Sequence, residues 1–288
     1  MLLAGCSGAQ AASVARDENR DAILVAATIP VLADLARNVG GSLVEVSSAV
    51  PPGVDAHSYQ TTPSNSVTIS RAALTISNGS GLDDFLLPIF QSARPGGAVH
   101  VVASDGLESQ FPASEPVISL GADPHFWQNP IFAIHYVEQI RDGLIQADPG
   151  NAARYEKQAQ RYIASLRQLD ENIAGLLDQV PPNRRILVTH HQAFSHLAAR
   201  YGWQTMALAP GDAGSVTPES ILQVSQKIKD AGLSSVFVEP RFRSSALDQV
   251  ARDARAKVSA IYAGLGGEAT TYVEMMQFNA RSLADNLR

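Results

Sequence analysis

From Asp148 to Val180 the chain runs for some 30 residues with no proline between Pro149 and Pro181. Its apolar positions Tyr155, Tyr162, Leu166, Leu169, Ile173, Leu176 and Val180 recur at steps of 7, 4, 3, 4, 3 and 4. That spacing follows the 3.6-residue period of a helix with one buried face. At 1.5 Å per residue, roughly 30 residues span about 45 Å. A helix of that length in mid-chain reads as a rigid spine joining two bodies.

Strands and helices alternate on both sides of it. Before the spine, "AILVAAT", "SLVEVSSAV", "ALTISNGSG" and "AVHVVASDG" read as strands, with helices at "VLADLARNVG", "LDDFLLPIFQSA" and "FAIHYVEQIRDGLIQA". After it, "RILVT", "TMALA", "SSVFVE" and "KVSAIYA" are strands, set among "AFSHLAARYG", "PESILQVSQKIKDAG", "SALDQVARDAR" and "TYVEMMQFNARSLADNL" as helices. Such alternation predicts parallel sheets covered on both faces. The expected fold is α/β: two (β/α) lobes, each with a four-stranded parallel sheet, joined by one long rigid helix. The expected divisions are 1–21 for a leader and tether, 22–147 for the first lobe, 148–180 for the linking helix and 181–288 for the second lobe.

A net charge of −6 leaves no basic footprint for nucleic acid, and no apolar run approaches the roughly 18 residues of a membrane-spanning helix. The single cysteine, Cys6, closes "MLLAGC", where Leu3-Ala4-Gly5-Cys6 looks like a bacterial lipobox. The small, polar "SGAQAASVARDENRD" that follows suits a flexible tether. The expectation is lipidation at Cys6 and display at the outer face of a membrane, periplasmic or cell-surface. The stretch lacks a charged n-region and a full apolar h-region, which puts the expected start codon upstream.

In open parallel sheets, ligands gather beyond the carboxyl ends of the strands. Three of the seven histidines fall on such loops: His57 in "VPPGVDAHSYQ", His125 in "GADPHFWQNP" and His191 in "VTHHQAF". His125 is held stiffly, because Pro124 fixes its own φ and restricts Asp123, while Asn129-Pro130 reads as an N-cap and first helical residue. His135 and His196 lie inside helices and read as packing residues, and His100 lies inside a strand. His190 neighbours His191 and is expected to point the opposite way. Imidazole is the commonest ligand for zinc-like ions. The intervals of 68 and 66 residues match no short zinc motif, so the residues alone leave a metal site and three ordinary polar histidines equally open.

Taken together, "PPGVDAHSY", "DPHFWQNP", "VTHHQAFSHLAARYGW", "VFVEPRF" and "TYVEMMQFNARSLADNL" resemble the cluster A-I metal-binding lipoproteins of ABC transporters, in order, from about Ala22 to Arg288. The resemblance implies two (β/α) lobes on a linking helix, with a divalent metal held between them for a membrane permease. It implies His57, His125 and His191 as ligands. Histidine at the third position, where manganese binders tend to carry Glu, favours Zn2+ over Mn2+. The Asp that usually supplies the fourth ligand is replaced by Ala263, or by Gly264 under a shift of one. Glu239 is the expected substitute, with a water equally suited; its other reading is a carboxylate that holds a histidine ligand or pairs with Arg241. Glu268 and Asp55 are more distant candidates. Two smaller departures are Ala56, where the family often has Pro, and Gln60, where it often has Glu.

Three histidines with an open position also describe a catalytic zinc centre with Glu239 as base, so a zinc hydrolase is the rival reading. No GxSxG, HExxH, P-loop or complete GxGxxG supports it. A member whose site has decayed, acting as an adhesin, is a third. The expectation is a monomeric, exported metal receptor without enzymatic activity, whose partners are the ion and an ABC permease.

Overall fold

The computed structural model describes residues 22–92, 98–107, 123–209, 216–240 and 244–288. The first half holds strands β1 (Ile23–Ala27), β2 (Val44–Ser48), β3 (Leu74–Ser77) and β4 (Val99–Val102). They form one parallel sheet in the order β2-β1-β3-β4. The chain winds outward from β1 in both directions, so the strand order reverses between β1 and β3, the place where open sheets leave a crevice.

The second half holds β5 (Ile186–His191), β6 (Gln204–Ala209), β7 (Ser235–Val238) and β8 (Lys257–Ala260). All four expected strands are present, but their hydrogen bonding departs from a single four-stranded ladder. β5 pairs with β6 and β7 with β8, both parallel, while β5 lies beside β7. Leu187, Val188, Val236 and Phe237 are fully buried there, so the two pairs meet within the core rather than through a bonded ladder. The spatial order β6-β5-β7-β8 repeats that of the first sheet.

Helix α1 (Pro30–Gly40) starts on a proline and buries Val31, Leu32, Leu35 and Val39, the i, i+3, i+4 pattern of a covered face. Helix α2 (Pro63–Arg71) was not foreseen. It has only Asn65 and Ile69 buried, so it carries no apolar periodicity, but Thr62 and Asn65 form a capping box ahead of Pro63. The segment "LDDFLLPIFQSA" becomes a 3-10 turn and the short helix α3 (Leu87–Ser92).

α4 (Pro130–Ala147) leads through one 3-10 turn into the spine, α5 (Ala152–Leu177). The spine has 26 residues, about 39 Å, shorter than expected because the turn at Pro149–Asn151 replaces its first residues. It buries Tyr155, Tyr162, Leu166, Leu169 and Ile173 as the spacing requires. These pack against α1 and α4 on one side and the last helix, α9 (Tyr272–Leu287), on the other. Asp170 on the spine accepts from Arg200 Nε at 3.0 Å and from the Tyr201 hydroxyl at 2.9 Å. These bonds fix α6 (Ser195–Tyr201), while α7 (Pro218–Ala231) and α8 (Ser245–Ala254) cover the second sheet. Among the described residues no helix is long and apolar enough to cross a membrane.

Candidate metal centre

His57, His125 and His191 come together although they are far apart in sequence. One ring nitrogen from each lies within 4.8 Å of the others, and the Nε2 atoms of His57 and His125 are 3.2 Å apart. The ring centroids stand 5.2, 5.5 and 6.1 Å from one another. Nitrogens gathered this closely repel as lone pairs unless protons or a cation lie between them.

The turn before α4 is the most rigid part of the centre. Asp123 is fully buried, and its Oδ1 accepts both the backbone N–H of His125 at 3.0 Å and the ring Nδ1 at 2.7 Å. Its Oδ2 accepts the Ser195 N–H at 3.0 Å, and its carbonyl accepts from His196 Nε2 at 2.8 Å. Burial pushes the Asp123 carboxyl up, but the hydrogen bond and charge of His125, with His196 and Ser195, outweigh it. The group stays ionised well below the ordinary carboxylate range. Asn78 Nδ2 donates to the Pro124 carbonyl at 3.0 Å, and the Asn129 side chain caps α4 through the Ile131 N–H at 2.9 Å. With Nδ1 bound to Asp123, His125 presents Nε2 to the cavity.

His191 ends β5. Its Nδ1 lies 3.0 Å from Glu239 Oε1, on the exit of β7. Burial pulls the His191 pKa down, but the hydrogen bond and charge of Glu239, with Asp55 and Asp123, raise it overall. Glu239 thus holds Nδ1 of the His191 ring and, with it, lines the cavity. Arg241, the alternative partner for Glu239, lies outside the described residues, as does Cys6. His57 sits on the loop after β2, where the Asp55 carboxylate accepts its backbone N–H at 3.0 Å.

The other histidines are placed elsewhere. His190 Nδ1 pairs with Ser244 Oγ at 2.9 Å, away from the centre. His100 sits between the hydroxyls of Thr75 and Ser77, and His135 Nε2 donates to the Asp105 carbonyl at 2.6 Å. His196 packs on Phe126 with centroids 4.6 Å apart. It is more than a packing residue, since it holds the carbonyl of Asp123, a link no local sequence signal announces.

A cavity of about 90 Å³ opens over the three imidazoles. Ile29, Val50, Leu82 and Leu265 give it apolar walls, and Asp55, Glu239, Ala263 and Gly264 also line it. The carbonyl of Ala263 accepts from Trp127 Nε1 at 2.7 Å and Gln128 Nε2 at 2.9 Å, so it is engaged by the turn that carries His125. Glu268 is exposed and is not among the cavity-lining residues. Among the described residues, only the three histidines form a group spaced to hold one ion.

Converging imidazoles between two (β/α) halves form a site able to hold one metal ion. The chain belongs to the family described as "Zinc-uptake complex component A periplasmic", which matches residues 25–286, and with that family it is a metal-binding solute-binding protein of an ABC transporter and not an enzyme. It is 30% identical over 266 residues to the iron-binding protein YfeA of Yersinia pestis, covering 90% of this chain and 85% of that one. It is 28% identical to the manganese-binding lipoprotein MntA of Halalkalibacterium halodurans, over 100% of this chain and 95% of the other. Among solved structures, the Mn-bound periplasmic metal-binding protein from Candidatus Liberibacter asiaticus superposes with a TM-score of 0.80 at 25% identity, covering 92% of this chain and 100% of that one. The periplasmic zinc-binding protein TroA of Treponema pallidum shares the fold, with a TM-score of 0.83 at 23% identity over 92% of this chain and 99% of that one.

Proposed function

We propose that this chain is an extracytoplasmic receptor that captures Zn2+ through His57, His125 and His191 and hands it to an ABC permease. The observation that carries the reading is the convergence of three imidazole nitrogens within 4.8 Å beneath a small cavity. Relatives are named for iron, manganese and zinc, so the choice of ion rests on this chain's own donors. Three nitrogen ligands suit zinc, a borderline ion, better than manganese, which prefers oxygen. Glu239 serves this site by orienting His191. Display at a membrane surface through a lipid on Cys6 agrees with the lipoprotein names of several relatives.

The test is calorimetric titration of the metal-stripped chain with zinc and with manganese in one buffer. One tight zinc site and weak manganese binding are expected. His57→Ala, His125→Ala and His191→Ala should each weaken zinc binding severely, and His135→Ala should leave it near wild type. Equal losses in all four variants, or no saturable site, would overturn the assignment.

A further inference from the structure

Four carboxylates are buried among the described residues: Asp34, Asp83, Asp123 and Asp170. Three of them each accept three hydrogen bonds. Asp83 takes the Thr28 hydroxyl and the N–H groups of Asn78 and Gly79. Asp123 takes two from His125 and one from Ser195, and Asp170 takes two from Arg200 and one from the Tyr201 hydroxyl. Asp34 is the exception, for its side chain accepts only the Tyr272 N–H, at 2.9 Å. It lies on α1 of the first half, and Tyr272 opens α9 of the second, with the spine packed against both helices.

The groups that face Asp34 do not make up the shortfall. On its own helix, Arg37 donates instead to the Val46 carbonyl at 3.1 Å. The N-terminus of α9 favours a negative charge, but Glu274 in that first turn already supplies one. From the spine comes Tyr162, whose buried hydroxyl has no hydrogen-bond partner although the charge of Asp34 acts on it. Burial outweighs the pull of the Tyr272 N–H and of Arg37, and raises the Asp34 pKa. A buried carboxylate with one donor is poorly compensated. A protonated carboxyl, with one oxygen to accept and one O–H to give, matches one N–H and one unpartnered hydroxyl. We infer that Asp34 is a proton-operated latch between the two halves, taking a proton from solvent as they dock. Its carbonyl oxygen then keeps the Tyr272 N–H while its O–H turns to the Tyr162 hydroxyl. Ionised, Asp34 weakens the docking; protonated, it tightens it. His57 and His125 come from one half and His191 from the other, so the firmness of docking governs how the three are held together.

The experiment follows the Tm of the metal-free full chain between about pH 8 and 4 for wild type, Asp34→Asn and Tyr162→Phe, with a carbon-NMR titration of the wild-type Asp34 carboxyl. Asparagine keeps an oxygen for the Tyr272 N–H and offers its NH2 to Tyr162, as the protonated acid does. A group whose folded pKa is raised costs stability above that value and returns it as pH falls toward the unfolded value near 4. Asp34→Asn should therefore melt roughly 2–4 °C above wild type at neutral pH, with the gap closing in acid. Tyr162→Phe removes the acceptor, so its deficit against wild type should grow as pH falls. The Asp34 carboxyl should titrate above the ordinary aspartate range. A gap of constant size, or Asp34→Asn melting below wild type at neutral pH, would overturn the inference. So would a wild-type Asp34 that titrates at or below the ordinary value, a reading that depends on no variant folding. Zinc takes no part in these measurements, so their outcome is separate from that of the receptor reading.

Discussion

Asp123→Asn is the substitution whose consequence the structure fixes most tightly. The carboxylate is fully buried and accepts three N–H groups, two from His125 on Oδ1 and one from Ser195 on Oδ2. An amide offers one acceptor and one donor in the same space. If its oxygen keeps His125, its NH2 group faces the Ser195 N–H; reversed, it faces both donors of His125. Either way at least one buried N–H loses its acceptor, which costs about 1–3 kcal/mol, and the charge-assisted bond to the imidazole is weakened as well. A total near 3 kcal/mol lowers Tm by roughly 6–12 °C for a chain of this size. Differential scanning calorimetry of the metal-free chain at neutral pH measures it. The Asp123 pKa is depressed in the folded state, so its stabilisation is present above the unfolded value near 4 and lost as pH falls toward the folded one. The gap between wild type and variant should therefore be constant above about pH 5 and narrow in acid. An unchanged Tm, or a gap that widens in acid, would refute the role given to this carboxylate.

Three further outcomes are expected. Metal affinity should fall as pH drops through the histidine range, because the raised pKa of His191 makes the ion displace a proton there; titrations between about pH 8 and 5.5 in buffers of different ionisation enthalpy would show the proton release, and a flat profile would contradict it. In the metal-free chain the same group contributes stability that is present below the unfolded value near 6.5 and lost as pH rises through the higher folded value. Gly266→Ala would place a methyl carbon 2.6 Å from both the Cα and N of Gly53, a backbone clash costing about 1–3 kcal/mol; urea unfolding should show that loss, and zinc affinity should fall with it because Gly53 leads into the loop of His57. Leu166→Ala, at a fully buried position of the spine, should cost about 2–5 kcal/mol in chemical denaturation while leaving metal stoichiometry at one, and a cost below about 1 kcal/mol would mean the spine is not packed as described.

Much of this architecture is written in local patterns. The strand runs are short and apolar, and the stripe from Tyr155 to Ile173 has one helical period, so element type followed directly. Helix α2 escaped because its faces are nearly all solvated, and its one signal was the Thr62-Pro63 start. The three histidines could be placed on strand exits, since open sheets have a rule for where ligands gather. Of their partners only Glu239 was open to the same reasoning, as a carboxylate on a neighbouring strand exit, and which histidine it holds was not. Glu239 reaches His191 across 48 residues, and Ser195 and His196 reach Asp123 across 72 and 73. The Asp123 bonds cross from one half to the other and so depend on how the halves dock, which no window of sequence carries, whereas His191 and Glu239 lie on neighbouring strand exits of the second half.

The docking itself bears on where the chain opens. Around the cavity the two halves are joined by buried bonds: Trp127 and Gln128 to the Ala263 carbonyl, the Tyr272 hydroxyl to the Trp127 carbonyl at 2.6 Å, and the Tyr272 N–H to Asp34 at 2.9 Å. Gly53 adds its own N–H to the Leu265 carbonyl at 2.8 Å. A hinge that swung the lobes apart would break all of these together, at about 1 kcal/mol for each neutral bond and more where a buried partner is left unpaired. The spine packs against both halves and opposes the same motion. His125 is anchored on every side, whereas His57 rides an irregular loop between β2 and α2 that is more exposed. Local opening is therefore expected at the His57 loop before the bonded turn of His125, and amide hydrogen exchange faster over 54–61 than over 123–129 in the metal-free chain is the measurement that checks it.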